Sequence, residues 1–261
     1  MSDESTGRVT SAQPRVAAPV RWLGQFAFRF RDYLVPVAAV VTLIFTRPER
    51  PFGSERLDYW MDGLGLLIAL LGQTLRVTVI GYAYIKRGGV NKQLAAPKLV
   101  SEGFYAHSRN PMYVGNFLIL TGIALIYNSR WVYLIILPGF VLGILAIIKA
   151  EEDFLAAKFG AEYDDYCRRV NRFLPSLRGL RTTLAGMRFD WRRVVRKEYG
   201  TTFAWTSAAV VLLAIERITW HGFQDAAPAL IRLVAAWGCI FALYLFALWL
   251  KKTHRLHPAS S

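Results

Sequence analysis

The chain has 261 residues, of which 54% are hydrophobic and 19% charged, with a formal charge of +14. A composition this apolar excludes an ordinary soluble domain, and the apolar residues run in blocks rather than alternating. The Lys and Arg residues gather between those blocks, which reads as membrane topology and excludes nucleic acid as the partner.

In chain order, residues 1–20 form a polar, small-residue-rich tail, expected to be disordered. It lacks the apolar core and cleavage site of a signal peptide. Six spans follow, at about 25–46, 62–84, 113–128, 131–149, 202–219 and 228–250, on the order of the 20 residues that cross a bilayer. The expected fold is all-α, a polytopic integral membrane protein. Segment 86–112 carries Lys86, Arg87, Lys92, Lys98 and Arg109 against one acid, Glu102. Segment 149–200 is rich in Arg, and the tail has Lys251, Lys252 and Arg255. These segments belong on the cytoplasmic side, with both termini, and the expected location is a bacterial inner membrane. The parts are then a core at 21–176, a basic cytoplasmic linker at 177–201, a two-helix extension at 202–250 and a tail at 251–261. The linker suits anionic lipid headgroups as partners.

Gly63, Gly65 and Gly72 in the second span read as packing positions, as does the Gly139-x-x-x-Gly143 pair in the fourth. Arg76 lies inside the second span, where a cation either snorkels to the border or contacts an anionic group of a substrate or cofactor. Cys167 and Cys239 fall in different environments and form no C-x-x-C pattern. The 4 His are scattered, with His107 expected at the surface, and no metal-ligand constellation is visible.

The densest polar stretch is Gly103 to Gly115, G-F-Y-A-H-S-R-N-P-M-Y-V-G, just ahead of the third span. Pro111 suits the first turn of a helix, Asn110 is a candidate N-cap, and the helix start points its dipole at the motif. Gly115 lets a ligand or a helix approach. By itself the stretch also fits an interfacial turn. The acids Glu151, Glu152 and Asp153 end the next apolar run, and a hairpin of the third and fourth spans brings both clusters to one side. The residues from Phe154 to Tyr166 read as two short amphipathic helices interrupted at Gly160.

The order Leu99-Val100-x-x-Gly103-x-Tyr105, Arg109-Asn110-Pro111-x-Tyr113-x-Gly115, Glu151-Glu152 and Phe159-Gly160-x-Glu162-Tyr163-x-x-Tyr166 through Arg172-Phe173-Leu174-Pro175 resembles the membrane-embedded methyltransferases. That family includes the isoprenylcysteine carboxyl methyltransferases and the phospholipid N-methyltransferases. The resemblance covers about residues 60 to 176, and Asn110 stands where many relatives have His. It implies S-adenosylmethionine as methyl donor, held by Val100, Gly103, Tyr105, Arg109, Asn110, Pro111, Tyr113, Gly115, Glu151 and Glu152. The acceptor it implies is a membrane lipid or a prenylated, isoprenoid-type molecule. Arg109 and Glu152 are candidates at the reacting centre, Glu152 as proton acceptor for an amine. Arg169 and Arg172 are the candidates for orienting a carboxylate. Membrane sterol reductases, which use a nicotinamide cofactor, are a related alternative. A scaffold or partner-binding subunit is the non-enzyme alternative.

Overall fold

The computed structural model describes residues 40–82 and 98–253. The 1–20 tail, most of the first span, residues 83–97 of the basic segment that follows the second span, and residues 254–261 lie outside them. Among the described residues every regular element is a helix, with no strand, as expected of an all-α membrane protein.

Helix α1, Glu55–Tyr82, begins with Glu55 and Asp58 in its first turn, where carboxylates complement the positive end of the helix dipole. Helix α2, Pro111–Tyr127, starts on a proline and ends at Asn128, which is left-handed at φ 41°. Asn128 tolerates that conformation because its short side chain bonds locally. Its Nδ2 donates to the Glu49 carbonyl at 2.5 Å, and its Oδ1 accepts from the Tyr133 hydroxyl at 3.0 Å.

Helix α3, Leu137–Phe159, is preceded by a π turn at Val132–Ile136. Pro138 has no N–H to give to the preceding turn, and the wider turn absorbs that loss. The helix continues well past residue 149, so Glu151 and Glu152 lie within it rather than at its end. The first of the two expected surface helices is therefore the last turns of α3. Gly160, at φ 50°, ends it and opens α4, Ala161–Arg169.

After α5, Leu180–Ala185, comes α6, Trp191–Lys252, interrupted at Gly222 with φ 74° and ψ 169°. That break divides α6 into the last two expected spans. Its halves pack through aromatic rings, Phe203 on Tyr244 at 4.3 Å and on Phe241 at 5.9 Å. The first half starts at Trp191 rather than near residue 202. Asp190 caps it by accepting from the Arg193 N–H at 3.0 Å, and its first turns are too charged to register as apolar. By length and composition α1, Val132–Phe159 and α6 each suffice to cross a membrane, and α2 is a shorter apolar helix.

The closest helix pair is α1 with α2, and glycines set its spacing. A Cβ on Gly72 would stand 2.6 Å from the Gly115 carbonyl oxygen, and one on Gly115 would stand 2.9 Å from that of Gly72. One heptad away, Gly65 and Gly122 repeat the arrangement. Gly115 thus serves helix contact rather than ligand approach. Gly139 and Gly143 have nothing within 4 Å, so that pair makes no close contact among the described residues.

Arg76 neither snorkels nor stands open. Its Nε and Nη2 donate to the Glu198 carboxylate at 2.9 and 2.6 Å, and Nη1 donates to the Asn116 Oδ1. Gln73 donates to the same carboxylate at 3.2 Å and accepts from the Trp205 Nε1 at 2.9 Å. This buried network joins α6 to the α1–α2 pair. Nearby, the Asp190 N–H donates to the Gly81 carbonyl at 2.9 Å, and Phe189 packs on Gly81.

Candidate active site

The motif loop runs beside residues 171–176 and is laced to them. The Arg109 N–H donates to the Asn171 carbonyl at 2.9 Å, and the Ser176 N–H to the His107 carbonyl at 2.9 Å. Between these, Asn110 Nδ2 donates to the Arg172 carbonyl at 3.2 Å and Ser108 Oγ to the Phe173 carbonyl at 3.0 Å. Asn110 does not cap α2 with its side chain; its carbonyl receives the Tyr113 and Val114 N–H groups at 3.1 and 3.2 Å. The amide is left for the lacing.

His107 is buried rather than at the surface. Its Nδ1 is 2.7 Å from the Ser176 carbonyl and its Nε2 is 2.9 Å from the Thr183 hydroxyl. A carbonyl only accepts, which places a proton on Nδ1. Below the loop, α4 packs Tyr163, Tyr166 and the following Val170 on Leu155 of α3 and on Leu99. The Tyr166 hydroxyl donates to the Tyr105 carbonyl at 2.8 Å.

This frame converges five of the expected residues. Glu152, on α3, receives Arg172 Nε and Nη2 at 3.1 and 2.7 Å. Arg109 Nη1 lies 3.4 Å from the same carboxylate. In the first turn of α2, the Tyr113 hydroxyl donates to Glu151 Oε1 at 2.9 Å. Two guanidinium groups and two carboxylates therefore balance in charge beside the N-terminus of α2. Neutral overall but strongly polar, the cluster suits a ligand that carries both signs of charge.

Two further residues, Cys167 and Tyr163, join the cluster without having been expected at the site. Cys167 Sγ accepts from Arg109 Nη1 at 2.9 Å. Burial pushes the Tyr163 phenol up, helped by Glu152 and Cys167, so it stays protonated. The Arg109 guanidinium is held charged, because Cys167, Glu152 and Tyr163 together outweigh its desolvation. The only signal available for Cys167 was its position one helical turn beyond Tyr163.

The remaining expected residues take other places. Gly103, at φ 63°, forms the turn into the short 3-10 helix Gly103–Ala106. Tyr105 is buried with Val79 and Phe104, and Val100 packs against that group. Both support the loop from below. Pro111 is buried at the start of α2. Arg169 is not brought to the cluster: it is exposed and pairs with Asp165 at 3.0 Å, because the turn of α4 points it outward. Glu152 as a proton acceptor also needs correction. Both its oxygens are engaged by Arg172, so it aligns guanidinium groups rather than presenting a basic oxygen. Among the described residues, no group of His, Cys, Asp and Glu is arranged to hold a metal ion.

Residues 61–162 match the phospholipid methyltransferase family. The chain is 30% identical over 167 residues to the nickel-cobalt-cadmium resistance protein NccN of Alcaligenes xylosoxydans xylosoxydans, covering 64% of this chain and 74% of that one. It is 32% identical over 139 residues to the cobalt-zinc-cadmium resistance protein CzcN of Cupriavidus metallidurans, covering 52% and 62%. It is 30% identical over 130 residues to a protein-S-isoprenylcysteine O-methyltransferase of Tribolium castaneum, covering 46% and 44%. The chain thus spans less than two thirds of the last two relatives. No solved structure matches it.

Proposed function

We propose that this chain, which belongs to the membrane-embedded methyltransferase family of the phospholipid and isoprenylcysteine carboxyl methyltransferases, transfers a methyl group from S-adenosylmethionine to a lipid or isoprenoid amphiphile. The reaction takes place at the membrane–cytoplasm interface, with both termini in the cytoplasm. The observation that carries this reading is the meeting of Arg109, Arg172, Glu151 and Glu152 at the start of α2.

The donor set fits a zwitterionic donor. Arg109 and the start of α2 are suited to a carboxylate, and Glu151 to an ammonium or ribose hydroxyls. Glu152 and Arg172 hold Arg109 in place. S-adenosylmethionine supplies a methyl group on a cationic sulfur: the C–S bond breaks, the sulfur leaves as a neutral thioether, and the methyl joins the acceptor's lone pair. The protein's own contribution is position and charge. Tyr113 fixes Glu151, and the laced loop keeps Arg109 and Asn110 in register, so alignment supplies much of the rate. Arg172, held on Glu152, adds a second cation to the cluster, which suits an anionic acceptor.

Membranes carrying the protein, given donor labelled in its methyl group, should yield a labelled molecule that extracts with lipids. Base-labile label identifies a carboxyl methyl ester, and base-stable label an N-methyl amine. No label above that of membranes lacking the protein would refute the reading. Two relatives are named for metal resistance, so growth on cobalt or cadmium is a natural phenotype to read in the same strains.

A further inference from the structure

The segment from Leu174 to Arg192 is not consumed by the site. Between Tyr166 and Phe189 the sequence has no Asp or Glu. Three of its arginines, Arg178, Arg181 and Arg188, are exposed and make no ion pair among the described residues. Among these arginines stand large apolar side chains open to the outside: Leu174 at 78%, Leu177 at 73% and Trp191 at 54% exposure.

Both ends of the segment are tied to membrane helices. Phe173 sits edge-on to Phe117 of α2 at 5.8 Å. At the other end Phe189 packs on Gly81 near the close of α1, and Trp191 opens α6. The segment therefore runs along the ends of the spanning helices, at the depth of lipid headgroups. Cations interleaved with Leu and Trp, at that depth, match a surface that is anionic above and apolar below.

We infer that residues 174–192 form a docking surface for the anionic headgroups of the leaflet, with Arg178, Arg181 and Arg188 on the phosphates and Leu174, Leu177 and Trp191 among the acyl chains. The occupant is the bilayer itself, as the exposed apolar side chains would stay in water against a soluble polyanion. Ser176 and Thr183 of this surface hold His107, so a docked segment braces the motif loop. The inference does not depend on the methyl-donor reading, since it concerns lipid contact alone.

Hydrogen exchange of residues 174–190 tests it, on the whole protein in nanodiscs of phosphatidylcholine with and without phosphatidylglycerol. Exchange should slow roughly tenfold or more with the anionic lipid, and the difference should shrink at high ionic strength. R178Q/R181Q/R188Q should lose the difference, and R178K/R181K/R188K should keep it. Equal exchange in the two bilayers would overturn the inference, as would a difference that survives in the Gln variant. Protection by a soluble polyanion such as RNA, with none from phosphatidylglycerol, would also overturn it.

Discussion

Glu198 grips Arg76 across 122 residues with two hydrogen bonds, at 2.9 and 2.6 Å, inside the helix bundle. The two side chains are 4% and 10% exposed, so neither charge has water to fall back on. The pair ties the two-helix extension to the part of the chain that matches the methyltransferase family. Glu198→Gln keeps the shape and leaves Arg76 as an uncompensated buried cation, at a cost of about 3–5 kcal/mol. Thermal unfolding of the purified protein should show a large loss for that variant. R76M/E198M should recover much of it, since an apolar pair removes the desolvation penalty. A loss in E198Q no larger than that of a surface substitution would contradict the account.

The glycines of α1 and α2 make a sharper contrast. Gly72→Ala places a methyl 2.6 Å from the Gly115 carbonyl oxygen, part of the backbone that cannot rotate away. The helices must separate, and the expected destabilisation is about 1–3 kcal/mol. Gly139→Ala and Gly143→Ala meet nothing within 4 Å and should be neutral or slightly stabilising, since Ala favours helix. Equal effects at Gly72 and Gly139 would rule out the close contact.

At the site, Arg172→Lys keeps the charge but loses the two-point grip on Glu152. It should weaken donor affinity by about tenfold, consistent with one charge-assisted hydrogen bond of roughly 1.5–3 kcal/mol partly retained. Arg169→Ala touches only the exposed pair with Asp165 and should leave donor affinity unchanged. Titration calorimetry with both variants checks the assignment. An effect at Arg169 equal to that at Arg172 would reverse it.

Cys167 offers a chemical probe. Its sulfur lies 2.9 Å from Arg109 Nη1, so donor bound at Arg109 should shield it. In a Cys239→Ser background, saturating S-adenosylmethionine should slow maleimide labelling of Cys167 several-fold. Labelling unchanged by the donor would place the donor elsewhere.

The hairpin logic was legible in the sequence. A motif ahead of one apolar run and acids after the next must meet if the two runs fold back, and the Tyr113–Glu151 contact realises that. Glu198 was not legible, because it sits in a charged stretch whose helical continuation no apolar pattern announces. The sequence therefore offered Arg76 only the membrane border or a ligand's anionic group, and no protein partner. His107 looked superficial for a related reason: its partners Ser176 and Thr183 come from a segment that composition describes only as basic. The outward turn of Arg169 depends on the rotation of α4, which Gly160 sets through its φ of 50°. Periodicity reads helices well and reads the rotation between them poorly.

The central claim, that the laced loop and the Arg109–Glu152–Arg172 cluster form a methyl-donor pocket, is tested most directly by equilibrium binding. The purified whole protein in nanodiscs should bind S-adenosylmethionine with one-to-one stoichiometry, and the double variant E151Q/E152Q should lose that binding while remaining folded. Tight binding of a reduced nicotinamide cofactor with none of S-adenosylmethionine, or unchanged donor binding in the double variant, would contradict it.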